Sequence, residues 1–286
     1  MKANLSNSTQ TKASIGVFDS GYGGLTILNE LQKTLPEYDY IYLGDNARAP
    51  YGNRSFDIIY KYTLEAVTHL FNQGCELIIL ACNTASARAL RTIQQKDLHN
   101  FGDSKRVLGI LRPTIEYISQ LDSGEVGLLA TPGTVKSNSY GLEVDHHCPN
   151  ITLRQKACPM WVPLVENGEF NNEGGDYFIT KDLKDLLLNF PKIEHLILGC
   201  THYPLLKNQI FKSLKSPLNL IEQGPIIAHS LKNYLARHPQ MESNLSKGQK
   251  LILQTTEDVD LFKYRLESIF EFSYPNEFDS IQKVRI

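Results

Sequence analysis

No segment of this 286-residue sequence approaches the roughly 18 consecutive apolar residues that a membrane-spanning helix needs. Residues 1–14 are polar and lack the apolar core, about 7–15 residues long, of a secretory signal. An excess of one charge is missing too. Lys and Arg number 29 against 31 Asp and Glu, for a formal net charge of −2, and the basic residues are scattered. Neither a nucleic acid nor an anionic membrane is therefore an expected partner. The five cysteines, Cys75, Cys82, Cys148, Cys158 and Cys200, are odd in number and form no CxxC pair. A disulfide framework is not expected, and a reducing cytoplasm is the natural compartment.

What is present is ordinary globular material, 42% hydrophobic and 21% charged. At about 100–200 residues per domain, the length favours two domains. Residues 1–13 read as a flexible tail. Apolar strands then alternate with helical stretches. Strands are expected at Ile15–Phe18, Tyr40–Leu43, Leu77–Leu80 and Val107–Ile110, with helices at 25–35, 56–73 and 85–95. This order predicts an α/β fold with a doubly wound parallel sheet. The pattern restarts with strands at Val126–Leu129, near Thr152–Gln155 and at His195–Leu198. Helices are expected from the loop 130–134 through Leu142, over 177–188 and over 203–214. A helix at 226–236 returns the chain to the first lobe, which a strand at 251–253 and the stretch 259–270 complete. The expected division is 14–112 with 225–286 in one lobe and 113–224 in the other.

The halves echo each other. Ile15-Gly16-Val17-Phe18-Asp19-Ser20-Gly21 matches Val126-Gly127-Leu128-Leu129-Ala130-Thr131-Pro132-Gly133 in kind. Leu77-Ile78-Ile79-Leu80-Ala81-Cys82-Asn83-Thr84 matches His195-Leu196-Ile197-Leu198-Gly199-Cys200-Thr201-His202. Ligands of such sheets bind beyond the carboxyl ends of the strands, where both cysteines fall. Two pseudo-symmetric lobes would present Cys82 and Cys200 from opposite sides of one cleft. A lone buried cysteine is usually packing. Two at equivalent places of a repeat, each followed by polar side chains, point to chemistry by thiols.

Other segments invite less specific readings. Gly21 and Gly23 suggest a dinucleotide fingerprint, with Asp45 downstream, but Thr26 occupies its sixth position. Asp19 at a strand tip reads either as a cleft carboxylate or as a helix N-cap shared with Ser20. Asp45 to Gly52 reads as a turn. Asp145-His146-His147-Cys148, even with Cys158, lacks regular ligand spacing, so no metal site is expected. Cys75, ahead of an apolar strand, reads as packing.

The segments Gly16–Gly24, Gly44-Asp45 through Pro50-Tyr51-Gly52, Ala81–Ser86 and Leu198-Gly199-Cys200-Thr201-His202-Tyr203-Pro204-Leu205-Leu206 resemble the glutamate racemases, in family order and spacing from residue 15 to about 230. Glu222-Gln223-Gly224 departs from the family's Asp-Ser-Gly. The resemblance implies two α/β lobes with substrate between them and no cofactor. It also implies interconversion of L- and D-glutamate, which supplies D-glutamate for peptidoglycan. It implies Cys82 and Cys200 as acid/base thiols, with Asp19 near Cys82 and His202 near Cys200. Ser20, Pro50, Tyr51, Gly52, Asn83, Thr84, Thr134 and Thr201 resemble substrate-holding positions. Glu166 resembles a family carboxylate on the Cys200 side. A homodimer is compatible with it. Three alternatives stay open: a related racemase acting on aspartate or another small acid, a thiol oxidoreductase pairing Cys82 with Cys200, and a binding module without turnover.

Overall fold

A computed structural model describes residues 12–121, 123–214, 216–270 and 281–286. Ten strands run through it: β1 (Ile15–Asp19), β2 (Tyr40–Gly44), β3 (Leu77–Leu80), β4 (Arg106–Gly109), β5 (Gly124–Ala130), β6 (Ile151–Ala157), β7 (Ile193–Gly199), β8 (Asn219–Ile221), β9 (Leu251–Thr255) and β10 (Ile281–Lys283). They form two sheets, ordered β10-β9-β2-β1-β3-β4 and β6-β5-β7-β8. All ladders between the named strands are parallel. The segments β2-β1-β3-β4 and β6-β5-β7-β8 share one order, so β3 and β7, each leading into a cysteine, hold equivalent places.

Burial explains the unbroken apolar runs. Every residue of β1, β2 and β3 is buried, as parallel strands covered on both faces require. On one face, Phe18, Ile78 and Leu80 meet Ile59, Val67 and Leu70 of the Phe56–Asn72 helix. Ser55 caps that helix by accepting from Ile58 N, and Gly74, at φ 88°, lets the chain turn after it. On the other face, Val17, Tyr42 and Ile79 share a core with Leu25, Leu28 and Leu31. That core continues through Ile227 and Leu231 to Val126, Leu128 and Ile197 of the second sheet. Each such side chain contributes about 1.5–3 kcal/mol when fully buried, so the two sheets are joined through a common apolar core. A third cluster, with Trp161, Val165, Ile179 and Leu183, backs the outer face of the second sheet.

Several boundaries differ from the sequence expectation. The helix expected at 85–95 is a short helix Asn83–Arg88, a turn Leu90–Thr92 and a π-helical turn Ile93–Asp97. The one expected through Leu142 is two helices, Pro132–Ser137 and Ser139–His147, broken where Asn138 takes a left-handed conformation. The stretch from Tyr203 begins as a 3-10 turn, Tyr203–Leu206, before the helix Lys207–Ser213. Strands β8 and β10 and the helix Trp161–Glu166 were not expected. Positions 113 and 225 fall inside the helices Leu111–Ile118 and Gln223–Arg237, by which the chain passes between sheets. Most of the expected tail lies outside the described residues, but Ala13 does not belong to a tail. It is buried and bridges Leu245, its N–H donating to Asn244 O at 2.9 Å and its carbonyl accepting from Ser246 N at 2.9 Å.

Candidate active site

Cys82 follows β3 as the N-cap of the Asn83–Arg88 helix, its sulfur accepting from Ala85 N at 3.4 Å. Ser20 Oγ, beyond the tip of β1, lies 3.3 Å from the same sulfur. Burial pushes the Cys82 thiol up to about 12, helped by the charges of Asp19 and Cys200 and opposed by its hydrogen bonds to Ser20 and Ala85. Cys82 and Cys200 are both almost fully buried, 5% and 6% exposed.

Cys200 follows β7. Its sulfur lies 3.8 Å from His202 Nδ1, and His202 Nε2 lies 3.1 Å from Glu166 Oε1. Burial alone would depress the imidazole. Hydrogen bonds to Cys200 and Glu166, and their charges, outweigh it and raise His202 well above the usual range. The two sulfurs thus have different partners, a hydroxyl for Cys82 and an imidazole braced by a carboxylate for Cys200.

The lobes meet through small polar groups. Thr201 Oγ1 donates to Asp19 Oδ2 at 3.2 Å, and Gly21 N donates to Oδ1 at 2.9 Å. Burial raises the Asp19 carboxyl, against the pull of His202 and of its hydrogen bonds. Asp19 is thus both a turn acceptor and a contact to the second lobe, whereas the N-cap of the following helix is Gly23. A Cβ on Gly23 would stand 2.5 Å from His202 Nδ1, so only glycine lets the lobes approach this closely. On the other side of the site, Thr84 Oγ1 is 2.9 Å from Thr131 Oγ1 and 3.4 Å from Thr134 Oγ1. Thr131 and Thr134 are themselves 3.1 Å apart. A Cβ on Gly52 would come within 2.8 Å of Thr131 Cβ.

The Asp45–Gly52 segment is an ordered brace, not a simple turn. Asp45 is fully buried and accepts from Arg48 Nε at 2.7 Å, from Thr256 Oγ1 at 2.9 Å and from the Tyr51 hydroxyl. The Tyr51 hydroxyl is therefore committed to Asp45. Pro50, half-buried, precedes it. Asn83 turns its carboxamide to Gln223 and Tyr140, each at 2.7 Å. No site role was read from the sequence for Thr131, Tyr140, Gln223 or Thr26, whose hydroxyl donates to Thr201 O at 3.0 Å. For Thr131 a signal was present, since it stands in the repeat where Ser20 stands in the first half.

Cys148 and Cys158 lie in separate cores, so they do not share a metal site. No cluster of three or more His, Cys, Asp or Glu suited to a metal occurs among the described residues. All five cysteines are free thiols, which removes a Cys82–Cys200 disulfide from this structure. Cys75 is packing, buried beside Leu70 and Ile78. Among the described residues no helix is long and apolar enough to cross a membrane.

Residues 25–230 match the Asp/Glu/hydantoin racemase family, to which the chain, with its two parallel α/β lobes, belongs. Within that family its similarity runs to glutamate racemases. The glutamate racemase of Ruegeria sp. (strain TM1040) is 39% identical over 238 residues, 79% of this chain and 87% of that protein. The crystal structure of glutamate racemase isoform RacE1 from Bacillus anthracis superposes with a TM-score of 0.83 at 30% identity, covering 96% of this chain and 98% of that one. That of Francisella tularensis glutamate racemase in complex with D-glutamate gives 0.81 at 31% identity, with the same coverage.

Proposed function

We propose that the protein interconverts L- and D-glutamate without a cofactor, using Cys82 and Cys200 as bases on opposite faces of the α-carbon. The carrying observation is the pair of buried thiols at equivalent strand ends of the two sheets. Racemisation takes a proton from one face of a carbon and returns one to the other. Two bases avoid the swing that one would have to make. The geometry supports a division of labour. Cys82, with its ionisation pushed up, enters as a neutral thiol able to donate. His202, braced by Glu166, exchanges a proton with Cys200. Asp19 and Ser20 flank Cys82 and assist there.

The α-proton of an amino acid is weakly acidic, so the developing carbanion needs fixed donors in a dry site. Ser20, Asn83, Thr84, Thr134 and Thr201 are buried polar groups suited to that work. Pro50, Tyr51 and Gly52 shape the wall beside Thr131. We infer that the protein works in the cytoplasm and that its D-glutamate feeds peptidoglycan assembly. The test is to incubate purified, dialysed protein with L-glutamate and follow optical rotation, then repeat with D-glutamate. Both should decay to the same racemic end point with no additive. Strict dependence on pyridoxal phosphate, loss of activity to a chelator, or turnover of aspartate in place of glutamate would each overturn the proposal.

A further inference from the structure

Beneath Cys82, four side chains from four helices form a closed polar network with no water needed to complete it. Gln223 lies on the helix that returns the chain to the first lobe, Thr114 on the helix that leaves it, Tyr140 in the second lobe and Asn83 directly after Cys82. All four are buried. Gln223 Nε2 donates to Thr114 Oγ1 and to the Tyr140 hydroxyl, each at 2.8 Å. The Tyr140 hydroxyl donates to Asn83 Oδ1 at 2.7 Å, and Asn83 Nδ2 donates to Gln223 Oε1 at 2.7 Å.

The direction of every bond follows from one end. Thr114 has a single hydroxyl proton, which goes to Ile110 O at 2.8 Å. Towards Gln223 it acts as an acceptor, so the Gln223 amide must turn its nitrogen that way. The second Gln223 N–H then meets the Tyr140 oxygen, which leaves the tyrosine proton for Asn83 Oδ1. The Gln223 carbonyl is left facing Asn83, whose nitrogen must face it. The two ends of the Asn83 carboxamide are thereby distinguished. One of its two N–H bonds goes to Gln223, and among the described residues no protein acceptor takes the other.

We propose that Tyr140 and Gln223 are positioning residues for Asn83, fixing its carboxamide so that one N–H beside Cys82 remains available to an anionic group of the substrate. The inference rests on the function proposed above. It belongs to this chain in particular. Where the glutamate racemase resemblance expects Asp-Ser-Gly, residues 222–224 are Glu-Gln-Gly, and a serine has neither the reach nor the second donor for these bonds. The network also links the lobes, because Asn83 receives its orientation from a tyrosine of the second lobe. Asn83 is correctly set only when the two lobes are together.

The experiment compares Tyr140→Phe and Gln223→Met with Thr63→Val, whose buried hydroxyl donates to Ile59 O at 2.7 Å, away from the network. Each removes a buried hydrogen bond, so a merely structural role would lower Tm in all three and leave kinetics alike. The proposal expects Tyr140→Phe and Gln223→Met to lower kcat/KM for glutamate about tenfold or more. Most of the change should fall in KM, because the donor meets a charge the substrate already carries. Thr63→Val, which lies outside the network, should stay within about twofold of wild type. Wild-type kcat/KM in both Tyr140→Phe and Gln223→Met, or an equal loss in Thr63→Val, would overturn it. If one of the first two variants fails to fold, the other decides. Failure of the wild-type protein to turn over glutamate, measured in the same assay, would instead overturn the function itself.

Discussion

The hydroxyl of Thr201 donates to Oδ2 of Asp19 across 3.2 Å, joining the loop after β7 to the tip of β1. The same residue's carbonyl accepts from Thr26 at 3.0 Å. One residue beside Cys200 is thus tied twice to the lobe that carries Cys82.

Thr201→Val should keep the volume and lose the hydroxyl. A buried carboxyl then loses a donor, at a cost of about 1–3 kcal/mol. Thermal denaturation should show a lower Tm, and kcat/KM should fall about tenfold or more because Asp19 is released from its place between the lobes. An unchanged kcat/KM would show that the tie is structural only.

Replacing Cys82 or Cys200 with Ser should nearly abolish racemisation in either direction, since a hydroxyl is far less acidic than a thiol. Circular dichroism should show the fold retained, because Ser is close to Cys in size. In D2O the wild-type enzyme, started from one enantiomer, should give early product deuterated at the α-carbon while unreacted substrate stays largely protiated. Proton NMR reads both pools. Deuterium washing into recovered substrate, or the original proton appearing in product, would rule out two opposed thiols.

Glu166→Gln probes the brace on His202. The carboxylate charge helps raise the imidazole above its ordinary value. Removing that charge lowers the pH at which His202 gives up its proton. The limb of the pH–rate profile on which activity declines as His202 deprotonates should move to lower pH in the variant. Profiles of kcat/KM for the two proteins, measured side by side, decide the matter; a limb that stays in place would show that His202 is not the group titrating.

The site was legible in the sequence to the extent that its residues sit at strand ends. The apolar runs of β1, β3 and β7 are unbroken, and each is followed at once by a small polar cluster. The repeat then marks Cys82 and Cys200 together. Contacts between distant segments were not legible. Asp45 read as part of a turn because its partner Thr256 lies 211 residues further on and reaches it only on folding. Thr131 looked like a loop residue until Thr84 was placed 2.9 Å away. Strands β8 and β10, three residues each, are too short to show a period. The helix Trp161–Glu166, with Pro163 inside six residues, gave no helical signal either. Yet it carries the carboxylate that holds His202.

The unequal surroundings of the two sulfurs have a kinetic consequence. Mirror-image substrates have the same free energy in water, so for the proposed reaction the ratio of the forward and reverse kcat/KM values must equal unity. A hydroxyl on one side and an imidazole–carboxylate pair on the other cannot make one enantiomer the better substrate in that sense. They can only divide the same efficiency differently between speed and affinity. Whichever enantiomer turns over faster at saturation must be the one with the larger KM, and by the same factor. The asymmetry built around Cys82 and Cys200 therefore sets the substrate concentrations at which each direction saturates, while the end point of the reaction stays beyond its reach.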